Sequence, residues 1–452
     1  MKKIFLFLVF SFSFLSFAQA QWTPENISTG RFHLGATSTD DLLFFAGGTV
    51  SGLAPSPIVD IYNTNTKTWS ITELSRARSF PAVAANGNLI FVAGGNDIRT
   101  DGAFDVVDIY DTTTGTWSQE QLSSPRSGMA AVSVGSKVIF AGGGTLNAFL
   151  TGFQTSDIVD IYDVETQTWE TAQLSEPRFF LAATVIGDKA YFGGGAVDNN
   201  TMSKRIDIYD AETNTWSVDS LSTARGFLSA TTVKDKILFA GGHDAAGISL
   251  VTVDIFNTST QEWTTGELSV PRMGMNAISI CDKAYFIGGG DIDWNTKVII
   301  ASSSRVDVYD AISETWETEE LSARRTLAAT AANEKSMAVV GGFDALSGLP
   351  NTAEIMSCEV VPVLNFIEDQ NWLIYPNPNQ GHSLVLKLPQ PNNFDKLQMY
   401  DTSGRMLLQR EVNAHIETQV IDLAGLENGI YWVHLKGTDG KSKMKRIMVE
   451  RG

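Results

Sequence analysis

Paired glycines recur along most of this chain, at Gly47-Gly48, Gly94-Gly95, Gly142-Gly143, Gly193-Gly194, Gly241-Gly242, Gly288-Gly289 and Gly341-Gly342, with spacings of 47, 48, 51, 48, 47 and 53 residues. A period of that size describes one supersecondary unit copied many times, because each copy can bury its apolar face only against its neighbours. Other residues keep fixed offsets from the pairs. An acid follows each pair inside a short apolar run: Asp60, Asp108, Asp160, Asp207, Asp254, Asp307 and, in a degenerate seventh copy, Glu354. Nine residues after each of the first six acids stands a tryptophan, and nine residues after each tryptophan an arginine: Arg78, Arg126, Arg178, Arg225, Arg272 and Arg325. A Leu-Ser pair lies between each tryptophan and its arginine. Before the first glycine pair, Trp22, Ile27-Ser28 and Arg31 hold the same offsets.

Each copy reads as four short strands. A small-residue run such as Pro81 to Ala85 leads through a tight turn at Asn86-Gly87 into an apolar run ending in the glycines. A third strand carries the acid and a tyrosine, a six-residue polar turn follows, and the fourth strand begins at the tryptophan. Period-two alternation, β-branched residues and turn signals every 8–12 residues support strands, and no helical pattern stands out after the leader. Four strands in about 50 residues, paired glycines, and Tyr and Trp separated by six residues resemble the kelch repeat. The resemblance implies an all-β, seven-bladed kelch-type β-propeller over residues 21–363. Tyr and Trp would fill the space between blades, and small residues would line the innermost strands. Seven tryptophans against seven glycine pairs, shifted by one, imply that the strand at Trp22 supplies the outermost strand of the last blade and removes its open edge.

Both ends of the chain read as addresses. Residues 1–20 carry Lys2 and Lys3, an apolar stretch too short to span a membrane, and Ala18-Gln19-Ala20, the pattern of a secretory signal peptide. After a linker at 364–371, residues 372–452 read as a small β-sandwich. Its motifs are Tyr375-Pro376-Asn377-Pro378, Gly404, and Gly429-Ile430-Tyr431, with a basic end at Lys443, Lys445 and Arg446. These resemble the type A C-terminal sorting domain of the type IX secretion system of Bacteroidetes. That implies passage through the periplasm and outer membrane, with the type IX machinery as partner and release or surface attachment as the outcome.

The formal net charge of −18 argues against nucleic acid as a partner. Two cysteines exclude a disulfide scaffold and a Cys-built zinc site; whether Cys281 and Cys358 pair stays open. Of the histidines, His33 and His243 fall in the repeats, too few for a kelch copper oxidase, and no metal or cofactor is expected. Asp291-Ile292-Asp293 reads as solvated loop acids. The leading expectation is a monomeric binding or adhesion module for an extracellular protein or glycan. The alternative is a carbohydrate-active enzyme using the central mouth, which a lone carboxylate or His243 aimed into that mouth would favour.

The candidate ligand face follows from strand alternation, which puts the glycine pairs, the loops after them and Arg31, Arg78, Arg126, Arg178, Arg225, Arg272 and Arg325 at one end of the propeller. Two readings of the arginines remain: a mouth for carboxylates, as in animal kelch adaptors, or one-to-one pairing with the seven acids. The interval from glycine pair to acid is 12 or 13 residues in five copies, but 17 in the third and 18 in the sixth. Both long loops carry apolar residues: Leu146, Phe149, Leu150 and Phe153 in one, Trp294, Val298, Ile299 and Ile300 in the other. Apolar loop residues hint at recognition.

Overall fold

Alternating, β-branched sequence and short turns give each repeat an antiparallel four-stranded sheet. The computed structural model describes residues 22–148, 152–293, 296, 298–358, 372–375, 383–388, 394–400, 406–413, 418–423, 426, 429–437 and 442–449. The leader at 1–20, Phe149, Trp294, the linker at 364–371, and Pro376, Asn377, Pro378 and Gly404 lie outside those residues. The chain divides into two compact units, residues 1–359 and 360–452.

In the first unit the described residues form seven four-stranded sheets, numbered here as blades in chain order. Blade 1 is typical: Gly35–Ser38, Leu42–Ala46, Ile58–Asn63 and Thr68–Glu73, with Ala36 opposite Phe45, Phe45 opposite Asp60 and Asp60 opposite Ile71. The innermost strand of each blade neighbours that of the next, and blade 7 neighbours blade 1, so the ring closes. Blade 7 takes its fourth strand from the N-terminal side: Thr23–Asn26 pairs antiparallel with Thr352–Ser357. Trp22 beside it donates its indole N–H to Glu319 at 2.9 Å.

Aromatic residues fill the wedges between blades. Tyr162 of blade 3 packs on Phe91 of blade 2, with ring centroids 5.3 Å apart, and lies 5.0 Å from its cross-strand partner Trp169. Two details depart from the sequence expectation. In blade 2 the strands pair Asn86 with Leu89, so Gly87 and Asn88 make the turn. In blade 4 the glycines with positive φ are Gly194 and Gly195, one residue later than the repeat spacing suggests, and Gly193 belongs to the strand.

Cys281, just after the innermost strand of blade 6, is disulfide-bonded to Cys358, just after the third strand of blade 7. The bond ties the last blade, closed by a strand from the other end of the chain, to its neighbour.

The second unit has a three-stranded sheet, Leu373–Tyr375, Ser383–Lys387 and Thr418–Asp422, and a four-stranded sheet of Met406–Glu411, Phe394–Tyr400, Gly429–Gly437 and Ser442–Val449. Leu384 and Leu386 from one sheet share a buried core with Leu397, Met399, Leu435 and Ile447 from the other, together with Tyr431. Of the sorting motif, Gly429 and Tyr431 open the long third strand of this second sheet.

Candidate functional site at the loop end of the channel

Two circles of backbone hydrogen bonds shape the loop end. In each blade the second glycine of the pair donates its N–H to the carbonyl of the arginine that opens the next blade, from Gly48 to Arg78 round to Gly342 to Arg31, at 2.8–3.0 Å. Positive φ and lack of room both require glycine there: a Cβ on Gly95 would sit 2.7 Å from the Ser79 carbonyl oxygen.

The second circle lies two residues beyond the arginines. His33, Phe80, Gly128, Phe180, Phe227, Gly274 and Leu327 each donate a backbone N–H to the carbonyl of the one before, with His33 donating to Leu327, at 2.9–3.4 Å. All seven have left-handed backbones, with φ between 51° and 60°. For a bulky side chain that conformation costs about 1–2 kcal/mol. Only two of the seven are glycine, although the geometry suits glycine everywhere.

The arginines themselves are buried, 0–1% exposed. Each pairs with the acid of its own blade: Arg78 with Asp108 at 2.7 Å, Arg225 with Asp254 at 2.6 Å, Arg325 with Glu354 at 2.9 Å, and Arg31, Arg126, Arg178 and Arg272 with Asp60, Asp160, Asp207 and Asp307. Most also donate to carbonyls at the glycine pair, as Arg126 does to Gly142 at 2.7 Å. Each acid in turn accepts the backbone N–H of the Leu-Ser serine ahead of the arginine, from Ser28 on Asp60 to Ser322 on Glu354. Burial pulls the guanidinium pKa values down and the carboxylates pull them back up. None of these seven guanidiniums is left facing solvent to meet a carboxylate ligand, so the seven arginines are collar rather than mouth.

The left-handed circle instead floors an apolar cup of about 270 Å³. His33 stacks on Phe80 at 3.7 Å, Phe80 lies 5.5 Å from Phe180, and Phe180 lies 3.9 Å from Phe227. Leu327 completes the floor. Below it, a second cavity of about 310 Å³ continues into the channel past Pro81, Met129 and Leu181.

The long loops build the walls. In blade 3, Gly144–Leu146 pairs with Phe153–Thr155, and in blade 6, Gly290–Asp293 pairs with Val298–Ser302, each as a separate hairpin. These are the two blades with glycine in the floor. Leu146 and Phe153 enter the cup from one hairpin, and Ile292, Val298 and Ile299 from the other. Neighbouring loops brace both hairpins: Gly102 donates to Leu146 at 3.1 Å, Thr155 to Val197 at 2.9 Å, and Ser302 to Asp344 at 2.6 Å. Asp291 accepts a hydrogen bond from the Ser249 hydroxyl and Asp293 one from the Thr296 backbone N–H at 3.2 Å, so both loop acids have protein partners. Leu53, Ile98, Phe32 and Phe343 fill the remaining wall. Outside the cup, Ile248, Ile300 and Leu346 stand 62%, 62% and 78% exposed on loops of blades 5, 6 and 7.

Of the sequence candidates, Leu146, Phe153, Val298 and Ile299 line the cup, and none of the seven arginines does. His243 is fully buried, with Nδ1 against the Asp244 carbonyl at 2.8 Å, and is not part of the lining. Its place as the ionisable side chain of the lining is taken by His33. That ring is 7% exposed, has Nδ1 3.3 Å from the Thr49 hydroxyl, and burial pushes its pKa well below the usual histidine value. The floor positions escaped the sequence reading because they do not repeat. Their signal was the residue two past each arginine, large and apolar in four copies.

Residues 82–289 match the KLHDC2/KLHL20/DRC7 Kelch-repeats domain, and residues 373–450 match the secretion system C-terminal sorting domain. No curated protein is matched. The first unit is thus a kelch-repeat propeller. The tail is a type IX sorting domain, which addresses the chain for secretion or the cell surface.

Proposed function

We propose that this exported propeller is a non-catalytic binding module and that its recognition surface is the loop end of the channel, centred on the apolar cup. The observation that carries the reading is the floor. Phe80, Phe180, Phe227 and Leu327 are only half-buried, yet they sit in a strained backbone that glycine occupies freely in two sister blades. Strain kept at such positions marks function more often than stability. The signal peptide at 1–20 belongs to the same reading, as the first step of export.

A carbohydrate-active enzyme at the mouth finds less support. Glycoside chemistry needs paired carboxylates, and no carboxylate lines the cup among the described residues. Sugar hydroxyls buried there would lose water and gain few partners. The test is binding of the full mature chain to glycan and peptide arrays, beside a Phe80→Gly/Phe180→Gly variant of unchanged melting temperature. Hits that vanish in the variant support the cup as recognition surface. Hits retained at full strength reject it.

A further inference from the structure

We propose that the cup takes an uncharged apolar group, a hydrocarbon chain or an aromatic ring, and rejects carboxylates and other anions. This rests on the cup being the recognition site and adds what it recognises.

Size comes first. A cavity of about 270 Å³ exceeds the roughly 150 Å³ apolar cavity that holds benzene. It falls near the lower end of small-molecule sites. One branched or aromatic group fills it; a polymer does not.

Chemistry comes second. The lining is aromatic and aliphatic apart from His33. The imidazole is stacked on Phe80 and buried, so it stays neutral near pH 7 and supplies no cation.

Charge comes third. The seven collar guanidiniums are all committed to collar carboxylates. The short turns around the mouth carry Asp97, Asp198, Asp244 and Asp344, each accepting a backbone N–H two residues on, and the exposed arginines there are spent on two of them, Arg99 on Asp97 at 2.7 Å and Arg324 on Asp344 at 3.9 Å. Subtracting the leader (+2) and the tail from Trp372 (10 basic, 8 acidic, +2) from the total of −18 leaves −22 on residues 21–371. An anion entering the cup would shed its water, meet no cation in the lining and approach a unit with a net negative charge. An uncharged group loses little and gains contact with the ring of aromatic faces.

The test uses N-phenyl-1-naphthylamine, an uncharged fluorophore, with the full mature chain at pH 7.5. Fluorescence should rise on binding. Displacement is then measured with 1-hexanol, hexanoate and N-acetylphenylalaninamide. The alcohol should displace at least tenfold better than hexanoate, which has the same tail length. Whether the alcohol or the amide is stronger tells a free hydrocarbon chain from a peptide side chain as the source; either supports the proposal. Val298→Asp puts a carboxylate on an exposed residue of the wall and should weaken the fluorophore at least tenfold without touching the fold. Phe80→Gly/Phe180→Gly should do the same from the floor. Equal displacement by hexanoate, or fluorophore binding unchanged in both variants, overturns the proposal. If array hits depend on the floor but the fluorophore does not bind, the recognition surface stands and the ligand class alone fails.

Discussion

The buried arginine collar and the cup floor are separated by two residues in sequence, and each occurs once per blade. The collar position never varies: arginine in all seven copies, buried, paired with an acid and hydrogen-bonded to the next turn of chain. The floor position varies from histidine to phenylalanine, leucine and glycine, is mostly half-buried, and is strained wherever it is not glycine. A residue that every blade needs for the same contact belongs to the framework. A residue that differs among blades with identical backbones answers to something other than the blade.

The collar gives the largest expected effect. Arg225→Ala leaves Asp254 buried without its cation, and breaking such a pair from one side costs about 3–5 kcal/mol. Urea unfolding of the purified variant should show a much earlier midpoint, or too little folded protein to measure. A variant that folds at the normal midpoint but loses its ligand would break the comparison, because the collar would then be site rather than framework.

The same contrast explains what could be read from the sequence. Arg31, Ser28 and Trp22 announced the closure of blade 7 because they keep the repeat offsets, and Thr23–Asn26 pairs where those offsets require. Repetition made the framework legible. The cup was not legible, since its floor has no repeated residue type and its walls come from hairpins in two blades only. The advance signs were the length of those two loops and their apolar residues, of which Leu146, Phe153, Val298 and Ile299 line the cup. That Gly128 and Gly274 stand in the same two blades becomes meaningful only once the floor is seen as a circle. The Cys281–Cys358 bond was equally hidden, because its partners are 77 residues apart and meet only through the ring.

Titration sharpens the comparison at intermediate size. The collar charges are paired, whereas His33 in the floor has no countercharge, and burial holds its folded pKa well below the ordinary value. Between that lowered pKa and the unfolded value near 6.5, the unfolded chain binds a proton that the folded chain refuses. Stability therefore falls as the pH drops below about 6.5, by up to about 1.4 kcal/mol per pH unit for this group. His33→Phe should flatten that part of the profile. The check is the difference in unfolding free energy between wild type and variant at pH 7 and pH 5. A constant difference would mean that His33 takes up its proton in the folded state.

The smallest stability effect belongs to Phe227→Gly, two residues from Arg225. The backbone there already has φ near 53°, and its N–H to Phe180 and carbonyl to Gly274 survive the change. Glycine relieves about 1–2 kcal/mol of left-handed strain. Against that stand the burial of a half-covered ring, about 1–1.5 kcal/mol on an area basis, and the extra backbone entropy of glycine, about 0.5–1 kcal/mol. These nearly cancel, so the net change should stay within about 1 kcal/mol and shift the melting temperature by only a few degrees, while the affinity of the cup falls. Arg225→Ala and Phe227→Gly then behave oppositely: one unfolds the chain, the other empties the site and leaves the fold. Differential scanning calorimetry of both variants under one buffer decides it. A loss of more than 3 kcal/mol from Phe227→Gly would place the floor in the core with the collar, and the distinction between them would disappear.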